Sequence, residues 1–299
     1  MSSLQLFSVK AQTPITAENL ERLNRFQDTL KVLSDSTLDS RDEVVRQNSC
    51  YAFIKTLVRS LKTEGSFNFS FDSLQRISIL NAGDRSFRIF SWLLPYDDTT
   101  YRFYGAIQMN STGKLQLFPF FDYSPYMNKP SDTITNNQKW FGALYYRMAE
   151  VKNSANKTYY MLFGWNGNNS RSNKKVVEVL TFNGKKEPVF GAPVFDFGKY
   201  DERNKMRRFI IEYKETAQVG LNYDDELQII AYDHLQPETP DKKDDPSSYV
   251  PDGSYEGFKW ENGKWRHVDN VFTSTQKEPP FPDPVDFGKK KNLYTPKHN

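Results

Sequence analysis

Trp165 and the run behind it, Asn166-Gly167-Asn168-Asn169-Ser170-Arg171, have the residue types best suited to holding a ligand. A saccharide is gripped by amides, which both donate and accept hydrogen bonds, and by an aromatic face on which its ring stacks. Asn166, Asn168, Asn169 and Arg171 are the candidate polar contacts, and Trp165 and the distant Trp265 are the candidate aromatic anchors. The same composition describes a plain hairpin connection, because Asn, Gly and Ser are turn residues in their own right.

Asp224, Asp225, Asp233 and the adjacent Asp97 and Asp98 could supply acid and base to a glycoside hydrolase. That chemistry needs two carboxyl groups held about 5 to 10 Å apart, which sequence spacing does not establish. Aspartate also accepts backbone hydrogen bonds in turns, and no D-x-D-x-D-G calcium spacing occurs. The histidines are His234, His267 and His298, and none belongs to an H-E-x-x-H or paired Cys/His pattern. A nucleophile elbow (G-x-S-x-G) and a phosphate-binding G-x-x-x-x-G-K-[ST] loop are both absent. These residues therefore assign no catalytic group, no metal site and no cofactor. Cys50 is the single cysteine, so no internal disulfide forms, and its helical spacing marks it as a small buried apolar residue.

Two kinds of element must position these groups. Thr16 is a suitable helix N-cap, and Leu20, Leu23, Phe26, Leu30 and Leu33 follow at three- and four-residue steps. A second helical pattern over Asp39 to Lys62 carries Val44, Tyr51, Ile54, Leu57, Val58 and Leu61, with Gly65 placed to end it. The pair predicts an N-terminal helical hairpin within residues 1–65. Beyond Gly65 the period falls to two, and strands are predicted over Ser86 to Leu94, Tyr101 to Met109, Lys114 to Phe120, Trp140 to Val151, Thr158 to Trp165 and Val176 to Phe182. Further strands are predicted over Arg207 to Lys214, Ala217 to Tyr223, Glu226 to His234, Tyr255 to Trp260 and Lys264 to Val268. Asn183-Gly184 and Glu261-Asn262-Gly263 are the sharpest turn signals. The expected fold is α+β: a helical hairpin, then antiparallel multi-hairpin sheets over 66–278, in a multi-sheet sandwich or a propeller-like arrangement. Gln236 to Pro251 reads as a mobile surface loop, and 279–299 as an extended tail carrying Lys289-Lys290-Lys291.

Composition narrows the partners. The chain has 299 residues, with 40 Lys+Arg against 37 Asp+Glu, so a net charge of +3 gives no dominating positive field and argues against nucleic acid. Aromatic residues make up 15%, which suits half-buried sheets and broad contact surfaces. No apolar run is long enough to span a bilayer, so no integral membrane segment is expected. The opening residues lack a signal-peptide pattern, which reads as cytoplasmic unless the chain is a mature form that has lost its signal.

A resemblance points the other way. FDSLQRISIL, FRIFSWLLP, YGAIQM, KWFGALYYRM, YYMLFGWNGNN, VVEVLTF, RFIIEYKE and YDDELQIIAYDHL, followed by VPDGSYEGFKWENGKWRHVDNVF, together resemble a family of Bacteroidetes envelope proteins. The resemblance runs from about Phe71 to Phe272. It implies export to the periplasm behind a removable signal and transfers no catalytic residue. More narrowly, the chain is similar to the soluble plug subunits of the type IX secretion translocon, which implies an outer-membrane translocon protein as partner. The expected function is a non-enzymatic envelope binding or scaffold protein that caps such a barrel; the alternative is a carbohydrate-binding module or glycoside hydrolase.

Overall fold

A computed structural model describes residues 14–97 and 99–271. The tail over 279–299 lies outside the described residues, as does Asp98. The first helix, α1, spans Ala17–Asp39 behind Thr16, whose hydroxyl accepts from the Asn19 amide at 3.2 Å. The second, α2, spans Glu43–Leu61, and Asp42 caps it by accepting from the Val44 and Val45 amides. Gly65 takes φ +77° and turns the chain away, a conformation that costs a residue without Cβ little. The helices form the expected hairpin, but their apolar stripe is narrower than the sequence suggests. Leu23, Leu30, Cys50, Phe53, Leu57 and Leu61 are buried, whereas Leu20, Val44 and Tyr51 are exposed because the neighbouring sheet covers only part of the hairpin.

Fifteen strands follow among the described residues, in three sheets. β1 (Ser78–Asn81), β2 (Phe87–Pro95), β3 (Tyr101–Met109) and β4 (Leu117–Phe121) make the first, in that spatial order. Along the chain then come β5 (Thr135–Asn136), β6 (Leu144–Lys152), β7 (Thr158–Asn166), β8 (Ser172–Phe182), β9 (Pro188–Phe190), β10 (Phe195–Asp196) and β11 (Phe209–Lys214). Last are β12 (Leu221–Asp224), β13 (Ile229–Pro237), β14 (Tyr249–Glu261) and β15 (Lys264–Val268). The second sheet runs β5-β9-β8-β7-β6 with β11 added on β8, and the third runs β10-β15-β14-β13-β12. Pairing is antiparallel throughout these ladders except between β10 and β15.

The sheets and the hairpin stack as layers. One face of β2, with Phe90, Trp92 and Leu94, packs on Leu23, Phe53 and Leu57 of the helices. Its other face, with Phe87 and Ile89, meets Tyr160, Leu162, Val176 and Leu180 of the second sheet. The opposite side of that second sheet, with Met161, Phe163, Val177 and Val179, packs on Ile230, Phe258 and Trp265 of the third. A strand covered on both faces carries apolar side chains at nearly every position, as in YYMLF of β7 and in VVEVL of β8, where the ion-paired Glu178 is the exception. The arrangement is a sandwich of three sheets with a helical layer outside, and the helical segment shares its core with the first sheet.

Several boundaries move. Trp140 to Ala143 precede β6 instead of belonging to it, and Trp140 forms an isolated parallel bridge with Asp122. The turn after β8 is wider than a two-residue Asn-Gly hairpin: the Asn183 amide donates to the Glu187 carbonyl, and Lys186 takes the positive φ of +61°. Gln236 to Pro251 is more structured than its composition suggests. The β13/β14 ladder continues through Gln236 opposite Val250 and Pro237 opposite Tyr249, and 3₁₀ turns at Pro240–Lys242 and Pro246–Ser248 close it.

Two arginines among the predicted strand faces lie in the interior. Arg208 Nε donates to Glu178 Oε2 at 2.7 Å, with both side chains fully buried. Its other nitrogens donate to the Pro130 carbonyl and, at 3.2 Å, to the Thr135 hydroxyl. Among the described residues no carboxylate pairs with Arg88; it donates to Gln108 Oε1 at 2.8 Å and to the carbonyls of Phe69 at 2.6 Å and Ser66 at 2.8 Å. Burial, with the charge of Arg85 adding, pushes its guanidinium down to about 9. Neither side chain is available to a phosphate backbone.

Removing one member of a buried ion pair leaves an uncompensated charge, so Arg208→Met is expected to cost about 3–5 kcal/mol. The double variant Arg208→Met, Glu178→Leu should recover most of that loss. Urea unfolding of the three proteins checks the ordering, and a double variant as unstable as the single would contradict it.

Candidate functional site

The loop singled out from the sequence is occupied by its own hydrogen bonds. Asn166 is buried and donates to the Gly142 carbonyl at 2.6 Å. Asn168 donates to the Ser172 hydroxyl at 2.8 Å and to Glu212 at 3.0 Å, and accepts from Lys174 at 2.8 Å. Asn169 Oδ1 accepts the amides of Arg171 and Ser172, which closes the turn between β7 and β8. Arg171 is exposed at the tip. Trp165 is half-buried, edge-on to Tyr101 at 5.3 Å, and the Gly167 backbone lies against both rings. Trp265 is fully buried beneath Trp260 and Tyr223, so it is a core ring and not an exposed anchor. The amides are thus satisfied by neighbouring residues, and Trp165 packs edge-on against Tyr101 and Phe103.

The carboxylates are likewise engaged in turns and pairs. Asp224 accepts the amides of Glu226 and Leu227, Asp225 pairs with Arg147, and Asp233 accepts the Gly220 amide at 2.7 Å. Asp97 accepts the amides of Thr99 and Thr100, and these bonds hold its carboxyl below the usual range. Cys50 is buried beside Trp92, and burial pushes its thiol up to about 11, which leaves little thiolate.

Two arrangements emerge that the sequence reading did not identify. The first lies along the edge strand β4 and the turn after it. Phe121 is 52% exposed and Tyr126 71%, with Tyr123 beside Tyr126 at 5.3 Å and the Lys139 ammonium over the Tyr123 ring at 5.7 Å. Lys139 also lines a groove of about 850 Å³ with Phe118, Ile134, Asn136 and Val189, between the edges of the first and second sheets. The backbone of this edge is partly covered, since Asn137 Nδ2 donates to the Pro119 carbonyl, while Phe121 of the strand and Tyr123 and Tyr126 of the turn face solvent.

The second is a corner of the third sheet where two of the three histidines meet. Tyr232 on β13 stands opposite Glu256 on β14, and Phe258 stands opposite His267 on β15. The Tyr232 hydroxyl donates to Glu256 Oε2 at 2.7 Å, and His267 Nε2 lies 3.0 Å from the same oxygen. A register shift between Asp233 and Leu235 re-aims His234, bringing its Nε2 to 3.6 Å from Glu256 Oε1. Asp252 holds the other ring nitrogen of His234 at 2.7 Å. Burial and the bond to Glu256 push the Tyr232 hydroxyl well up, so it stays a donor. Burial alone would raise Glu256, but the hydrogen bonds from Tyr232 and His267 outweigh it and hold the carboxyl below its ordinary value. The His267 ring is set between Phe197 at 5.2 Å and Phe258 at 5.5 Å, and it lines a surface recess of about 420 Å³ with Asp196, Lys199 and Arg266.

One signal for this corner was present in the sequence. Counting back from the two-residue Asn262-Gly263 turn pairs Glu261 with Lys264 and therefore Phe258 with His267. Tyr232 meets Glu256 in regular register, whereas His234 enters through a bulge opposite Asp252-Gly253-Ser254, where Gly253 takes φ +89°. Comparison with known proteins identifies no relative: no family model, no curated protein and no solved structure matches the chain.

If the 166–171 amides serve the fold, Asn166→Ala should cost about 1–3 kcal/mol by orphaning a buried carbonyl. Arg171→Ala, at an exposed tip, should stay within about 0.5 kcal/mol. Chemical denaturation of both variants tests this, and the reverse ranking would return the loop to consideration as a ligand site.

Proposed function

We propose that this protein is a non-enzymatic binding subunit that engages a protein partner through the aromatic edge of Phe121, Tyr123 and Tyr126. The exposed aromatic cluster carries the reading. Large rings left in water at a sheet edge are the groups that anchor protein interfaces, where they exchange hydration for close packing. The half-covered β4 backbone favours side-chain docking over addition of a further strand. Against the hydrolase alternative stands the use of Asp97, Asp224, Asp225 and Asp233 in turns and pairs. Against a glycan module built on the 165–171 loop stands the satisfaction of its amides by neighbouring residues.

Placement in the cell envelope rests on the sequence resemblance. In its narrower form the subunit is periplasmic and caps the outer-membrane barrel of a type IX secretion translocon. Among the described residues no helix is long and apolar enough to cross a membrane, which is compatible with attachment through a partner.

The test is binding of the purified chain to a purified translocon barrel by surface plasmon resonance. Phe121→Ser with Tyr126→Ser should weaken binding by at least about 2 kcal/mol, roughly thirtyfold, if these rings are interface anchors. Changing Asp224, Asp225 and Asp233 together to Asn should leave affinity unchanged. Absence of binding to the barrel would remove the translocon assignment. A glycosidase activity abolished by the triple Asn variant would replace the binding reading with the hydrolase.

A further inference from the structure

The histidine corner of the third sheet has more negative charge facing its imidazoles than the imidazoles can satisfy. Each of the four ring nitrogens of His234 and His267 faces a carboxylate oxygen. For His234 these are Asp252 at 2.7 Å and Glu256 at 3.6 Å; for His267 they are Glu256 at 3.0 Å and Asp269 at 3.6 Å. A neutral imidazole carries one N–H, so one nitrogen of each ring presents a lone pair to an anionic acceptor. Acceptor facing acceptor is repulsive unless positive charge stands between them. A divalent cation held among the carboxylates supplies it.

The geometry points to a divalent metal site of zinc type, with Glu256, His267 and Asp269 as ligands and His234 beside them on the second oxygen of Glu256. Those three residues each offer a ligand atom within 4.8 Å of the others. Two ligands about 2.0–2.2 Å from an ion, on neighbouring vertices of its coordination shell, stand roughly 3.0–3.5 Å apart. The 3.0 Å between His267 Nε2 and Glu256 Oε2 falls in that range. Imidazole donors favour zinc-type ions over calcium or magnesium, which prefer all-oxygen shells. The bond from Asp252 to one nitrogen of His234 fixes that ring so that its other nitrogen stands against the second oxygen of the ligand Glu256. Entry is open, because Asp269 is exposed and His267 lines the recess described above.

Metal binding is measured on the full-length, tag-free chain after chelator treatment, by calorimetric titration with zinc sulfate and by the visible absorption of the cobalt-substituted protein. A single saturable site with the absorption of nitrogen- and oxygen-ligated cobalt is expected. Glu256→Gln and Asp269→Asn should each weaken zinc by at least about tenfold, and His298→Ala, which changes the remaining histidine, should not. Asp269 is on an exposed loop, so its variant keeps the fold testable if changes at His267 or Glu256 unfold the chain. Unchanged zinc affinity in folded Glu256→Gln and Asp269→Asn proteins, or no saturable binding by the parent, would overturn the site. Neither outcome bears on the aromatic edge, whose partner assay contains no added metal.

Discussion

The ion pair between Glu178 and Arg208 sits where one strand must serve two partners. β8 is paired with β7 along one edge, but its other edge is divided: β11 takes Ser172 to Val177 and β9 takes Leu180 to Phe182. Where β9 and β11 part, the ladder has a gap, and Glu178 lies in it with Arg208 arriving just before β11 begins. The guanidinium fills the gap and extends to the Pro130 carbonyl and to Thr135 of β5, while the Ser131 carbonyl accepts the amides of Arg207 and Arg208. Burial pushes the Glu178 carboxyl up, and Arg208 with the Val179 amide opposes that rise. Through this pair the central sheet, its edge strand and the loop from Pro130 to Thr135 are held in one register.

Arg88 plays a comparable part between the first sheet and the helices without an anion. Three acceptors satisfy it, two of them carbonyls of the segment that leads from α2 into β1, and the rings of Phe67, Phe71 and Phe90 stand about it at 5.5, 5.1 and 4.8 Å. Carbonyl dipoles and aromatic faces stabilise a cation while adding no second charge to desolvate. The Ser66 to Phe71 segment is thereby fixed against β2, and with it the position of the helical layer.

With both faces of the central sheet covered, functional groups are confined to sheet edges and ends. The aromatic edge at β4 and the histidine corner of β13, β14 and β15 are of this kind, and they differ in physics. The edge offers apolar area that water covers poorly, suited to a protein surface. The corner offers concentrated charge, suited to a proton or a cation. Three carboxylates and two imidazoles are gathered there with two aromatic rings fixing the orientation of His267, so the corner is both preorganised and charge-unbalanced.

The class of fold was legible because it depends on local periodicity. The change from a 3.6-residue to a 2-residue repeat near Gly65, the cap at Thr16, and the Asn262-Gly263 turn are nearest-neighbour physics, and the helical hairpin and the antiparallel hairpins followed from them. Tertiary structure alone decided where polar residues ended up. Nothing local distinguishes the buried Arg88 and Arg208 from solvated strand residues, or Trp265 in the core from an exposed anchor, because burial depends on which sheet lies opposite. The side-chain amides of Asn166 and Asn168 looked like free donors until the Gly142 carbonyl and Glu212, both remote in sequence, accepted from them. The histidine corner draws on residues from Tyr232 to Asp269 that meet only through strand register and a bulge, so pairwise geometry, and not residue type, brought its chemistry together.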